Sequence, residues 1–236
     1  MKRFLICIVL ASAIFSTGAM AQSAKFAASW DTNPRTATSS DECISGVCSD
    51  NLDDVVVDVE MAELKVPEGK EIFIGVSSEI LIHLVTTAKG GRKNDAGTTT
   101  NFSSTAKASG SVDVTLSLIN DDGEVCGIAP SNNVTLKSEM RELTVTGGGD
   151  MTMLEDEEFW IEVGITTDSK GAHHFEFLGV DCTQGNYTLT ATFNLTALAE
   201  ASGYDSDALA TVTLYDRMIT MQLVRAVKGS VVDPDA

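Results

Sequence analysis

Basic residues are scarce in this chain: 16 Lys and Arg stand against 34 Asp and Glu over 236 residues, a formal charge of −18. Phosphate binding needs the opposite balance, so the composition argues against nucleic acid as a partner and against attraction to anionic lipid. Aromatics are few as well, at 6% with 2 Trp and 3 Tyr. That is thin for a cleft that must hold sugar rings during hydrolysis. Beyond residue 21 no apolar run approaches the roughly 20 residues that span a bilayer, so stable membrane insertion is not expected. Also missing are a G-x-S-x-G elbow, an H-E-x-x-H pair, a phosphate-cradling glycine loop, a C-x-x-C redox pair and the spaced D-x-[DN]-x-[DN]-G calcium loop. No residue is assigned to catalysis on this basis.

What is present begins with an export signal. Lys2 and Arg3 precede the apolar run Phe4 to Phe15, and Ala19-Met20-Ala21 places small residues where a signal peptidase reads, so residues 1–21 are expected to be a cleaved leader and Gln22 the first mature residue. The compact leader has a bacterial look, and the expected compartment is periplasmic or extracellular. Cleavage removes two bases, leaving 14 Lys and Arg against 34 acids, a mature charge of −20. Such a charge serves solubility; it also leaves divalent cation binding at an acidic cluster open.

Cys7 leaves with the leader. The four remaining cysteines of an exported chain suggest two disulfides, with three connectivities available. Cys43 and Cys48 are close in a polar stretch and invite a local loop, which leaves Cys126 to pair with Cys182 over a long separation. Four cysteines could instead hold zinc, but neither C-x-x-C spacing nor flanking histidines accompany them.

Residues 22–53 read as a loosely ordered polar arm, 54–227 as one domain and 228–236 as a polar tail. Within 54–227 the dominant rhythm is two residues, the mark of strands with one buried face. Val57, Val59 and Met61 alternate with Asp58 and Glu60, and Ala62, Leu64 and Val66 then take the opposite parity, which suggests a bulge. Pro67 to Lys70 makes a turn; Ile72 to Val76 and Ile80 to Val85 read as strands at the centre of a core, with His83 buried among them. Lys89 to Gly110 reads as a long loop that has room for a short paired piece inside it. Ser111 to Leu118 alternates cleanly, and Asn120-Asp121-Asp122-Gly123 signals a hairpin. Val134 to Thr146 reads as a strand. Phe159, Ile161, Val163 and Ile165 share a face after an acidic loop at 155–158, and Ala172 to Val180 follows. Asn186 to Thr196 alternates again, Ala197 to Asp207 reads as a short helix or loop, and two strands separated by Asp216-Arg217 finish the domain. Many strands without a long helix imply an all-β, antiparallel two-sheet sandwich.

Val66 to Val76, introduced by Val66-Pro67-Glu68-Gly69-Lys70, together with Gly185-Asn186-Tyr187-Thr188-Leu189 and the closing Ala210 to Thr213 and Ile219 to Met221, resembles the strand order of complement and tumour-necrosis-factor-like jelly rolls. The likeness lies in pattern and covers about two thirds of the mature chain. It implies a jelly-roll sandwich and leaves a homo-oligomer such as a trimer open; it carries over no functional residue. An immunoglobulin-like sandwich is the alternative, with Cys182 near Tyr187. There the Tyr would precede its Cys by two residues, and here the Cys comes first.

Several constellations could take a metal. Asp50, Asp53 and Asp54 near the arm, Asp121 and Asp122 in the hairpin turn, and Glu155 to Glu158 could each offer carboxylates to Ca²⁺, and His174 and Glu176 share one strand face about 7 Å apart. His173 points the other way, beside Phe175. The expected function is that of an exported, non-catalytic surface, matrix or periplasmic module binding a protein or glycan ligand. The alternatives are a small carbohydrate-active hydrolase or lyase on the same scaffold, worked by two carboxylates, and a self-assembling subunit whose N-terminal arm pairs with a neighbour's sheet edge.

Overall fold

The computed structural model describes residues 25–49, 54–95, 98–147 and 158–225. The expected leader, the acids at 155–157 and the C-terminal tail lie outside these residues. Eleven strands are seen among them: β1 (Phe26–Asp31), β2 (Arg35–Ile44), β3 (Val47–Cys48), β4 (Asp54–Val66), β5 (Lys70–Asp95), β6 (Thr98–Asn120), β7 (Gly127–Ala129), β8 (Asn133–Thr146), β9 (Glu158–Val180), β10 (Gly185–Gly203) and β11 (Asp205–Arg225). The fold is all-β and every pairing is antiparallel.

One layer runs β3-β2-β11-β5-β9-β7, with β1 beside β11 where β2 ends; the other runs β4-β10-β6-β8. We call them sheet A and sheet B. Strands β5 and β6 pair with each other only at their tip, Gly91–Asp95 against Thr98–Phe102, and then part into different layers. From β4 onward each successive strand lies in the other sheet. Such crossing is possible because the strands are long enough to bend around the core.

Period-two burial builds that core. Ile72, Ile74, Ile80, Ile82 and Leu84 of β5 point inward with Val212 and Leu214 of β11, and meet Val112, Val114, Leu189 and Phe193 from sheet B in one continuous cluster. Burying each such side chain contributes on the order of 1.5–3 kcal/mol. Turns close the ends where the residues demand it: Gly69 and Gly123 adopt φ of 69° and 84°, a left-handed conformation that costs glycine little. Both expected disulfides form, Cys43 to Cys48 and Cys126 to Cys182. The second ties the connection before β7 to the one after β9.

At the end where β5 turns into β6, Trp160 stacks on Tyr204 at 5.1 Å with 17° between planes, Phe102 lies 4.5 Å from Tyr204, and the Lys89 ammonium sits 4.9 Å from the Trp160 ring. Gly91 lies directly under the Trp160 ring, where a Cβ has no room. The cluster joins β6, β9 and the β10–β11 connection.

Several expectations change. The polar arm is not loose: Phe26–Asp31 pairs with Asp31's partner Arg217 through Gln222, and Arg35–Cys43 pairs with Leu214 through Ser206. Sheet hydrogen bonds compensate there for a shortage of apolar residues. Most of the anticipated loop at 89–110 is strand, the end of β5 to Asp95 and the start of β6 from Thr98, paired with each other as the expected paired piece, since Ser, Thr and Gly tolerate strand geometry when a partner strand is present. The anticipated helix or loop at 197–207 continues β10 into β11. Asp216-Arg217 does not separate two strands but forms a bulge within β11, between Leu214 and Arg217.

The largest difference lies in β4. Its pairing with β10 is unbroken from Asp54 to Val66, so no bulge switches the parity. Ala62, Leu64 and Val66 are anchored in the core, and Asp58 and Glu60 share their side of the strand. The two acids are therefore inside, 7% and 8% exposed, while Val55, Val57, Val59 and Met61 face out at 50–61%. His83 likewise faces outward, bonded to Asp168 at 2.5 Å. Phe159, Ile161, Val163 and Ile165 do share a face, but at the sheet edge they remain 37–45% exposed.

Candidate functional site

A bulge makes this site. Where β11 gains one residue between Leu214 and Arg217, the Arg217 side chain turns wholly inside the sandwich. Its guanidinium donates to the Asp31 carboxylate at 2.5 Å and to the Asn33 carbonyl at 2.8 Å, and it pairs with Asp58; Glu60 follows at 3.5 Å. Arg35 holds Asp58 from outside at 2.9 Å, and the Ser29 hydroxyl donates to Glu60 at 2.8 Å. Two arginines thus compensate three acids. This explains the inverted β4: an edge strand can turn carboxylates inward where cations and hydroxyls receive them.

The Asn33 backbone N–H and the Arg217 charge hold the Asp31 carboxyl below the usual carboxylate range. Asp58 raises the Arg35 guanidinium.

Above this buried cluster, the outer surface of sheet A carries an open groove of about 680 Å³. A row across four strands forms its floor, with Trp30, Met218, Ser77 and His174 as successive register partners. At about 4.8 Å per strand the row is about 14 Å long. Trp30 ends it, 70% exposed, beside the partly exposed Met218. The bulge supplies Asp216 on the flank, and Glu79 lies on β5 between the bulge and Ala172. Glu79 pairs with Lys170 at 2.7 Å, which raises the lysine's pKa, and Lys170 lies 5.0 Å over the Tyr215 ring.

Chemically, the groove offers one flat apolar plate, hydroxyl and imidazole groups along the same row, and carboxylates on its flank. Such a combination of an apolar surface with a few convergent polar groups is what small ligands bind. Glu79 is already neutralised by Lys170.

Of the metal candidates, Asp50, Asp53 and the acids at 155–157 lie outside the described residues, and Asp121, Asp122, His174 and Glu176 are divided between two places. Asp121 accepts from the Asn186 side chain at 2.7 Å and Asp122 closes the turn on Asn120, both at the end of sheet B. His174 and Glu176 stand on the outer face of sheet A, 3.5 Å apart, with the Ser77 hydroxyl 2.7 Å from the imidazole. Among the described residues no three His, Cys, Asp or Glu side chains gather as a metal site needs. His174 nevertheless belongs to the groove.

Sequence reasoning missed Trp30, Met218 and Asp216. The available signal was a single tryptophan in an otherwise polar segment, which has no core reason to be there. Arg217 had no signal, since a turn explains Asp-Arg equally well.

The fold is an all-β sandwich with an open groove on one outer face, at whose end a tryptophan is exposed. Compared with known protein families and with individual characterised proteins, the chain matches none.

Proposed function

We propose that this protein is an exported, non-catalytic binding module that holds a neutral glycan in the groove at Trp30. One observation carries the reading: Trp30, one of 2 tryptophans in the chain, is exposed at the end of a row that runs on through Met218 to the polar Ser77 and His174. An indole face gives a flat apolar surface for the C–H face of a sugar ring, and Ser77, His174 and Asp216 are positioned to bond its hydroxyls. Neutral glycans are favoured over acidic ones because the chain's negative field repels polyanions. Export is supported by the leader pattern at 1–21 and by two disulfides, which persist in oxidising compartments. No helix among the described residues is long and apolar enough to cross a membrane.

The test is affinity electrophoresis and fluorescence titration of the mature protein against soluble neutral polysaccharides, with Trp30→Ala as comparison. Binding should be present in the natural protein and at least tenfold weaker in the variant, at an unchanged melting temperature. Equal binding by both, or none by either, refutes the assignment. Release of reducing ends during the same incubation would favour the hydrolase or lyase reading instead.

A further inference from the structure

We propose that the outer face of sheet B is a dimer interface whose occupant is a second copy of this chain. The face is built from the register of β4, β10, β6 and β8. Level with Val55 to Met61 its outward side chains are Ser, Thr and Asn, bounded on β4 by the apolar stripe Val55, Val57, Val59 and Met61. A single charge occurs in these rows, Asp113, and the Thr135 hydroxyl donates to it at 2.5 Å. The outer face of sheet A is the opposite, carrying Glu71, Glu79, Glu162, Asp168, Glu176 and Asp207 on its strands.

In a chain of charge −18, this difference decides which surface can meet its own copy. Like charges repel within a Debye length of about 8 Å at physiological salt, so two copies can approach closely only through a face that lacks charge. An ordinary solvated sheet would also show Thr and Ser outward. It would not place four apolar residues in succession on an edge strand, where charged residues usually guard against association.

Geometry agrees with a weak, concentration-dependent contact between two copies. The uncharged rows, level with the seven residues Val55 to Met61 of β4 at about 3.3 Å each, make a patch of about 19 by 23 Å. That is on the order of 400 Å² from each partner, the size of a transient rather than a standard interface. A two-fold axis lying in the face and crossing the strands at the level of Asp58 sets Val57 over Val59 and Val55 over Met61, apolar on apolar. In the register of β6 with β10 and β4, the same axis brings Asp113 opposite Thr115 rather than its own copy, and Lys107 level with Asp121.

Native mass spectrometry and sedimentation of the mature protein test this. The natural chain should be a concentration-dependent dimer, and raising salt should increase the dimer fraction by screening residual repulsion. Val57→Asp with Val59→Asp should give a monomer of unchanged melting temperature, because both positions already face out. Leu178→Asp, at an outward site on sheet A, should stay dimeric. A natural chain that is monomeric up to high micromolar concentration overturns the proposal, as does a double variant that folds and still dimerises. These outcomes are independent of whether any glycan binds.

Discussion

Arg217 and Asp31 are register partners on β11 and β1, and their side chains meet at 2.5 Å with the guanidinium fully buried. Through this contact an N-terminal strand with few apolar side chains is held to the sandwich. Because Arg217 also faces Asp58 and Glu60 on β4, one side chain joins both sheets along one side of the molecule.

Replacing Arg217 by Met should therefore be among the most damaging single changes, about 3–5 kcal/mol, since it leaves buried carboxylates uncompensated. Urea unfolding measures it. Adding Asp58→Asn and Glu60→Gln to the variant should recover much of the loss. If the triple variant is no more stable than Arg217→Met alone, the loss reflects packing instead.

Acid should act on the same cluster. Asp31 titrates below its ordinary value in the folded chain, first because of the Asn33 N–H and then because of Arg217. As pH falls, the unfolded chain takes up the proton first, so the stability this carboxylate contributes is complete above about pH 4 and is lost as pH drops through its lower folded value. The urea midpoint should decline below about pH 4 in the natural chain and decline less steeply with Asp31→Asn. Parallel curves would remove Asp31 from the account.

The two disulfides should differ in weight. Cys126 and Cys182 are 56 residues apart and Cys43 and Cys48 only 5. Chain-entropy reasoning gives roughly 4 kcal/mol for the long closure and roughly 2 kcal/mol for the short one. Denaturant unfolding of Cys126→Ala with Cys182→Ala against Cys43→Ala with Cys48→Ala should keep that order. A reversed order would show that the Cys43–Cys48 loop anchors β2 through packing rather than through chain entropy.

Much of this was legible in the residues. The alternation at Ser111 to Leu118 and at Asn186 to Thr196 named both strands and their inner faces, the turns at Gly69 and Gly123 fell where their residues demanded, and the cysteine spacing indicated both disulfides. Of the groove, only His174 was marked in advance. The rest is assembled from β1, β5 and β11, segments far apart in sequence that a single register row brings together.

Local alternation thus determined that the chain makes strands, and which side chains share a side. It could not determine which side is inside where the sheet ends. On β4 that choice went to Asp58 and Glu60 over four apolar residues, because the core fixed the parity at Ala62 to Val66 and because Arg217, 157 or more positions away in sequence, waits beneath them. On β9 the apolar face of Phe159 to Ile165 lies at an edge and stays partly open. Burial is set by what the opposite layer presents, and only the folded arrangement of the two sheets supplies that.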